Sequence, residues 1–249
     1  MSGHSKWATI KRKKAATDQA RGKLFSKYIK EITIAARHGG GDLEGNPRLR
    51  SAVAAARAVN MPANNIERAI KRGTGEIEGV SYEEMQYEGY GPGGVALLVE
   101  IATDNRNRTA GDIRHVFTKY GGALAEAGSV SYLFKPRGVI AVEKSAVTED
   151  TLIEVVLDAG ADDVQTGGDG YEVLTPPGRL EAVKEALAAR KIPVQSADVT
   201  KVASTQVPVS EREAETLLKL VDALEEHDDV QRVYANFIIP DELLVRLAR

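Results

Sequence analysis

At 249 residues, 43% hydrophobic and 28% charged, the chain has the composition of a globular protein of two or three domains. It has no cysteine, which excludes disulfides, thiol catalysis and thiolate metal sites, and no apolar run approaches the roughly 18 residues of a membrane span. The formal net charge of −3 hides a segregation: residues 1–72 hold 16 of the 33 lysines and arginines but five of the 36 acids, leaving +11 there and −14 in the remainder.

The chain opens on a basic run, Gly3 to Lys14, in which Lys6, Lys11, Arg12, Lys13 and Lys14 surround Trp7. No apolar stretch follows Met1, so the start does not read as a secretory signal, and a cytoplasmic location is expected. Apolar spacing then predicts a helix from Lys23 to His38, with Leu24, Phe25, Tyr28, Ile29, Ile32, Ala35 and Ala36 on one broad face. Lys23, Lys27, Lys30 and Arg37 share the opposite face, and Gly39-Gly40-Gly41 ends the helix. Asn46-Pro47 caps and opens a second helix to about Val59, and Asn60-Met61-Pro62 breaks it before a third that ends at Lys71-Arg72-Gly73.

Beyond Gly75 the pattern mixes strands and helices. Tyr82–Glu88 and Val95–Ala102 are strand-like and joined by glycines; Thr109 with Asp112 is the expected cap of a helix burying Ile113, Val116, Phe117 and Tyr120; Val130–Phe134 reads as another strand. Residues 137–203 contain strand, helix, two strands, helix and strand, which is the ferredoxin-like order. The tail adds a helix opened by the capping box Ser210-Glu211-Arg212-Glu213 and a strand, Val230–Ala235. The expected fold is α+β: a small helical domain over 1–78, a discontinuous domain of 79–135 plus 207–249, and a ferredoxin-like domain over 136–206 inserted in it.

A segment at +11 attracts polyanions, because each neutralised phosphate releases condensed counterions. The candidate nucleic-acid contacts are Lys6, Trp7, Lys11, Arg12, Lys13, Lys14, Arg21, Lys23, Lys27 and Lys30. Trp7 can stack on an unpaired base or pack as core. Arg106 and Arg108 are expected in a loop just before a helix N-terminus, where they would form an anion site or pair with local carboxylates. The helices over 48–59 and 63–72 could form a helix-turn-helix with Asn64, Asn65 and Arg68 as readers, although Ile66, Ala69 and Ile70 limit the side that can face a groove.

Gly89-Tyr90-Gly91-Pro92-Gly93-Gly94 matches G-x-G-x-x-G literally but is followed by a strand-like run, so it reads as a hairpin and not a dinucleotide site. Tyr132 and Phe134 could present one face of a sheet to bases, yet the full RNA-binding pattern is missing and core packing is the better reading. The four histidines lack metal-ligand spacing, and the run Glu225-Glu226-His227-Asp228-Asp229 reads as a solvated helix end. No catalytic set, cofactor fingerprint or metal site is visible.

The long motifs GHSKW…IKRKK, RGKLFSKYIKEI and NPRLR…NMPANNIERAIKRGTG, continued by YEGYGPGGVALLVE, TDNRNRTAGDIRHVFTKYGG and GSVSYLF, strongly resemble the YebC family. At motif level the likeness covers about residues 2–135; beyond that, VQRVYANF and the order of elements carry it. The resemblance implies three domains, a cytoplasmic location and no known catalytic activity. Family members are described as transcriptional regulators that bind DNA and as factors acting on translating ribosomes, and mitochondrial relatives activate translation of a cytochrome oxidase subunit. The expectation is therefore a non-enzymatic nucleic-acid-binding regulator of transcription, the alternative being a ribosome-associated translation factor that binds ribosomal RNA or tRNA and relieves stalled synthesis.

Overall fold

The computed structural model describes residues 18–167 and 170–240, with Leu243, Arg246 and Leu247, and side chains from Gly22 onward. Helices α1 (Asp18–Gly39), α2 (Pro47–Ala58) and α3 (Ala63–Thr74) enclose an aliphatic core of Ile32, Ala35, Ala36, Leu49, Val53, Ala56, Ile66 and Ala69. Buried Asn46 joins α1 to α2. Its Oδ1 accepts from the Leu49 N–H at 3.1 Å, capping α2, while its Nδ2 donates to the carbonyls of Ala35 and Gly40 at 2.8 and 2.9 Å. Where α3 crosses α1 the helices touch at Gly73: a Cβ there would lie 2.4 Å from the Thr33 carbonyl oxygen and 2.6 Å from the Ala36 Cβ.

The first sheet is antiparallel, with strand order β3-β1-β2-β9 from β1 (Glu83–Tyr90), β2 (Ala96–Thr103), β3 (Ala123–Ala125) and β9 (Val230–Ala235). Leu97, Val99 and Ile101 on one face of β2 pack against Ile113 and Phe117 of α4 (Arg106–Lys119) and Leu217, Leu220, Val221 and Leu224 of α7 (Glu211–Glu225). Ala96 and Leu98 on the other face meet Val130, Phe134 and Tyr234. The glycine motif is the β1–β2 hairpin: Gly93 and Gly94 both have φ of +73°, and the Gly91 N–H donates to the Val95 carbonyl at 2.8 Å.

The second sheet runs β5-β6-β4-β7, from β4 (Phe134–Glu143), β5 (Asp163–Gly167), β6 (Gly170–Thr175) and β7 (Ser196–Ala203), with α5 (Glu149–Asp158) and α6 (Leu180–Ala189) on it. Ile140, Val142, Leu152, Val156, Val173, Val183 and Leu187 form its separate core. The two sheets meet where Lys201 pairs with Glu100 at 2.7 Å and Arg232 donates to the Val199 carbonyl at 3.2 Å. A short parallel pair, β8 (Val207–Pro208) with β10 (Phe237–Ile238), lies beside the first sheet's core.

The strand expected at Val130–Phe134 does not form. Ser131–Leu133 is a 3-10 turn, and the third strand of the first sheet is Ala123–Ala125. The cause is Glu88, a buried carboxylate that accepts the N–H groups of Gly128, Val130 and Ser131 at 2.8, 2.6 and 2.8 Å. Burial raises the Glu88 pKa, but these backbone donors outweigh it and leave the group below the usual range. Donors spent on a carboxylate cannot join a strand ladder, so Tyr132 stands 63% exposed while Phe134 enters the core.

Gly73→Ala is expected to force α1 and α3 apart and lower stability by about 1–3 kcal/mol, the usual cost of overpacking. Chemical denaturation measures this; an unchanged midpoint would show that the crossing is looser than described.

Candidate nucleic-acid interface

Of the residues expected at nucleic acid, Lys6, Trp7, Lys11, Arg12, Lys13 and Lys14 lie outside the described residues, and Arg21 is described only as backbone within α1. Lys23, Lys27 and Lys30 follow one another along α1 at helical spacing, but they are turned inward. The Lys23 ammonium lies 3.3 Å from the Glu226 carbonyl, Lys27 donates to the Glu225 carbonyl at 2.6 Å, and Lys30 to the Asp228 carbonyl at 2.9 Å. These acceptors end α7, whose last turn holds no basic residue and carries acids where the helix dipole is negative. The lysines of α1 supply from a distant segment the cations that α7 lacks. The run Glu225 to Asp229 is thus a docking surface and not simply a solvated helix end.

Asp229 anchors this joint. Only 4% exposed, it accepts from Lys30 through Oδ1 at 2.7 Å and from Arg108 through Oδ2 at 2.7 Å; the hydroxyls of Thr109 and Thr103 lie 2.7 and 3.0 Å from that second oxygen. Burial pushes its pKa up, but the hydrogen bonds from Lys30, Arg108 and Thr109 prevail and hold it far below the carboxylate range. Thr109, expected as a helix cap, is a buried member of this cluster. The cap of α4 is Asn105, whose side chain accepts from the Arg108 N–H at 3.1 Å.

Arg106 and Arg108 stand in the first turn of α4 and not in the loop before it. Arg108 divides its guanidinium between Asp229 and Asp104, both within 2.8 Å, so its charge is largely answered inside the chain. Arg106 is 70% exposed and only 3.8 Å from Glu83. The two do not act as a pair.

Other cations of the basic segment are also engaged. Arg48 bridges Glu31 and Glu84, with its closest contact at 2.6 Å, and those hydrogen bonds raise its pKa. Arg37 donates to the Ser81 hydroxyl and the Tyr82 carbonyl at 2.8 and 3.1 Å. In contrast, Arg57 on α2 and Arg68 and Lys71 on α3 are exposed, and none has a carboxylate partner among the described residues. Charge counting along the sequence could not separate these groups, because the acceptors lie about 200 residues from the lysines they hold.

Asp229→Asn should lower the unfolding free energy at neutral pH by about 3–5 kcal/mol, because Lys30 loses a buried partner. The depressed pKa also fixes the acid response. Asp229 stabilises the fold fully above its unfolded pKa of about 3.9, and this contribution is lost as pH falls towards the folded value. The variant should therefore lose less stability than the parent between about pH 4 and pH 2; parallel curves in acid denaturation would refute this role.

Comparison with known proteins agrees with this architecture. A family model described as the TACO1/YebC protein N-terminal domain matches residues 5–76, and one described as the TACO1/YebC second and third domain matches residues 82–237. Relatives named "Probable transcriptional regulatory protein" occur in Syntrophobacter fumaroxidans, 59% identical over the whole of both chains, and in Dictyoglomus turgidum, 57% identical and likewise complete. Another, in Geobacter sulfurreducens, is 57% identical over 99% of this chain and 100% of the relative. A crystal structure of a conserved hypothetical protein from Aquifex aeolicus superimposes with a TM-score of 0.79 at 51% identity, covering 90% of this chain and 93% of that one. Family models that together span both the helical segment and the two sheets, and relatives alike from end to end, establish that the chain belongs to the TACO1/YebC family.

Proposed function

We propose that this chain is a non-catalytic regulatory protein that binds nucleic acid through its basic N-terminal segment and acts on transcription in the cytoplasm. The carrying observation is the charge division of +11 over residues 1–72 against −14 over the rest. Like charges gathered in this way repel one another within each part, and a polyanion relieves that repulsion on the basic side. The remaining acidic surface discourages indiscriminate binding elsewhere. The names of the bacterial relatives support a regulatory role, and no helix among the described residues is long and apolar enough to cross a membrane.

Within that segment the contacts divide. Lys23, Lys27, Lys30, Arg37 and Arg48 hold the helices against the first sheet. That leaves Lys6, Lys11, Arg12, Lys13 and Lys14, with the outward cations of α2 and α3, to meet phosphates. Arg106 is a candidate for a peripheral phosphate contact, whereas Arg108 belongs to the joint.

Crosslinking in cells followed by sequencing of the bound nucleic acid tests the proposal. Recovery of discrete promoter fragments is the expected result; recovery of ribosomal RNA or tRNA would move the protein to translation. In solution, replacing Lys11, Arg12, Lys13 and Lys14 together with alanine should flatten the slope of log affinity against log salt by roughly three units, since each phosphate contact contributes about 0.7–0.9. A wild-type slope in that variant would remove the basic run from the interface.

A further inference from the structure

We infer that the outward stripe of α3, formed by Asn64, Arg68 and Lys71, is the surface that reads base edges, and that its partner is duplex DNA. The inference rests on the nucleic-acid-binding role proposed above and identifies which element does the reading. On a helix of 100° per residue these three positions fall within about 60° of one another. Ile66, Ala69 and Gly73, all buried, occupy the opposite side and press α3 against α1 and α2. The core therefore fixes the rotation of α3 about its axis, and that rotation leaves the stripe exposed among the described residues.

The chemistry of the stripe suits base edges. Asparagine and arginine each offer paired hydrogen-bonding groups, to adenine and guanine respectively, and Lys71 adds a phosphate contact. Glu67 borders the stripe and can accept from a cytosine amino group, which a purely phosphate-binding surface would not need. The helix also has the right setting. A four-residue break, 59–62, separates α2 from α3 as in helix-turn-helix pairs, whose second helix enters the major groove by its N-terminal part. Pro62 provides no side-chain cap and its carbonyl accepts only from Asn65 and Ile66, so the N–H groups of Ala63 and Asn64 are left for a phosphate. Arg57, on the outer side of α2, extends the cationic surface.

Single-stranded RNA fits the α3 surface less well. Its recognition relies on aromatic side chains that stack unpaired bases. Neither α2 nor α3 contains an aromatic residue, and Phe25 and Tyr28 of α1 pack against the helical core.

The test uses the full-length chain and duplexes selected from a random-sequence pool, compared with scrambled duplexes and with an RNA hairpin at the same salt. Asn64→Ala and Arg68→Ala should each reduce discrimination between selected and scrambled duplexes by about 5- to 150-fold, the worth of one bidentate base contact. Lys71→Ala should weaken both duplexes alike and reduce the salt slope by about 0.9. Lys23→Ala should leave discrimination unchanged, because its ammonium faces α7. All four positions are at least partly exposed, and unchanged melting temperatures for the α3 variants verify that the fold is retained. Wild-type discrimination in both Asn64→Ala and Arg68→Ala overturns the stripe as reader while the binding role stands. Tighter binding to the hairpin than to any duplex overturns the assignment to DNA, and a wild-type chain that binds neither overturns the proposed function itself.

Discussion

The carboxylate of Asp229 is the point at which three distant segments become one structure. Lys30 comes from the helical N-terminus, Thr103, Arg108 and Thr109 from the end of β2 and the start of α4, and Asp229 from the turn before β9. A lone buried carboxylate costs several kcal/mol of solvation, and neither two hydroxyls nor one half-exposed arginine would fully replace the lost water. The lysine of α1 completes the set. Correct folding of the first sheet's last connection and docking of the helical segment are thereby coupled, because each supplies what the other would leave unsatisfied. Lys23 and Lys27 extend the same logic along α1, neutralising a helix end whose own residues are acidic.

This joint changes how the charge of the N-terminal segment must be understood. A count of +11 describes how strongly the segment can attract phosphates from a distance, but not which cations touch them. Arg37, Arg48 and the three lysines of α1 contribute to that field while their hydrogen bonds go to the chain itself. The resulting division of labour is physical: buried or paired cations set orientation, and unpaired exposed ones remain adaptable.

Local signals were legible in the sequence and non-local ones were not. Asn46 before Pro47, the capping box at Ser210 and Glu213, and the glycine hairpin after β1 all form as read, because each is settled by neighbours within a few residues. The return of the tail to the first sheet could also be read, since the first block of strands lacked a helix and a strand that the tail supplied. The failures share one cause. Val130–Phe134 alternates like a strand, but Glu88, some forty residues earlier, claims its N–H groups. Thr109 resembles a cap, but Asp229 draws it inward. The α1 lysines resemble a free cationic face, but the carbonyls that hold them are about 200 positions away. An acceptor distant in sequence overrides local pattern, and its location is a property of the fold.

The route by which the chain enters and leaves the second sheet has a consequence of its own. Phe134 at the start of β4 stands directly opposite Ala203 at the end of β7, and the Ser204 N–H donates to the Leu133 carbonyl at 2.8 Å. The two crossing points are thus neighbours, so whatever lies between them closes on itself and imposes little strain on the host. Its main hydrophobic core shares no residue with the larger core of the first sheet, and only its two ends, Phe134 and Ala203, pack against Ala96, Leu98 and Tyr234 on that sheet's other face. Such an arrangement concentrates the cost of change at one seam: the loops and helices of the second sheet can be remodelled or lengthened as long as Phe134, Ala203 and the Lys201–Glu100 pair keep their places, while the Asp229 joint and the outward face of α3 keep their relation unchanged.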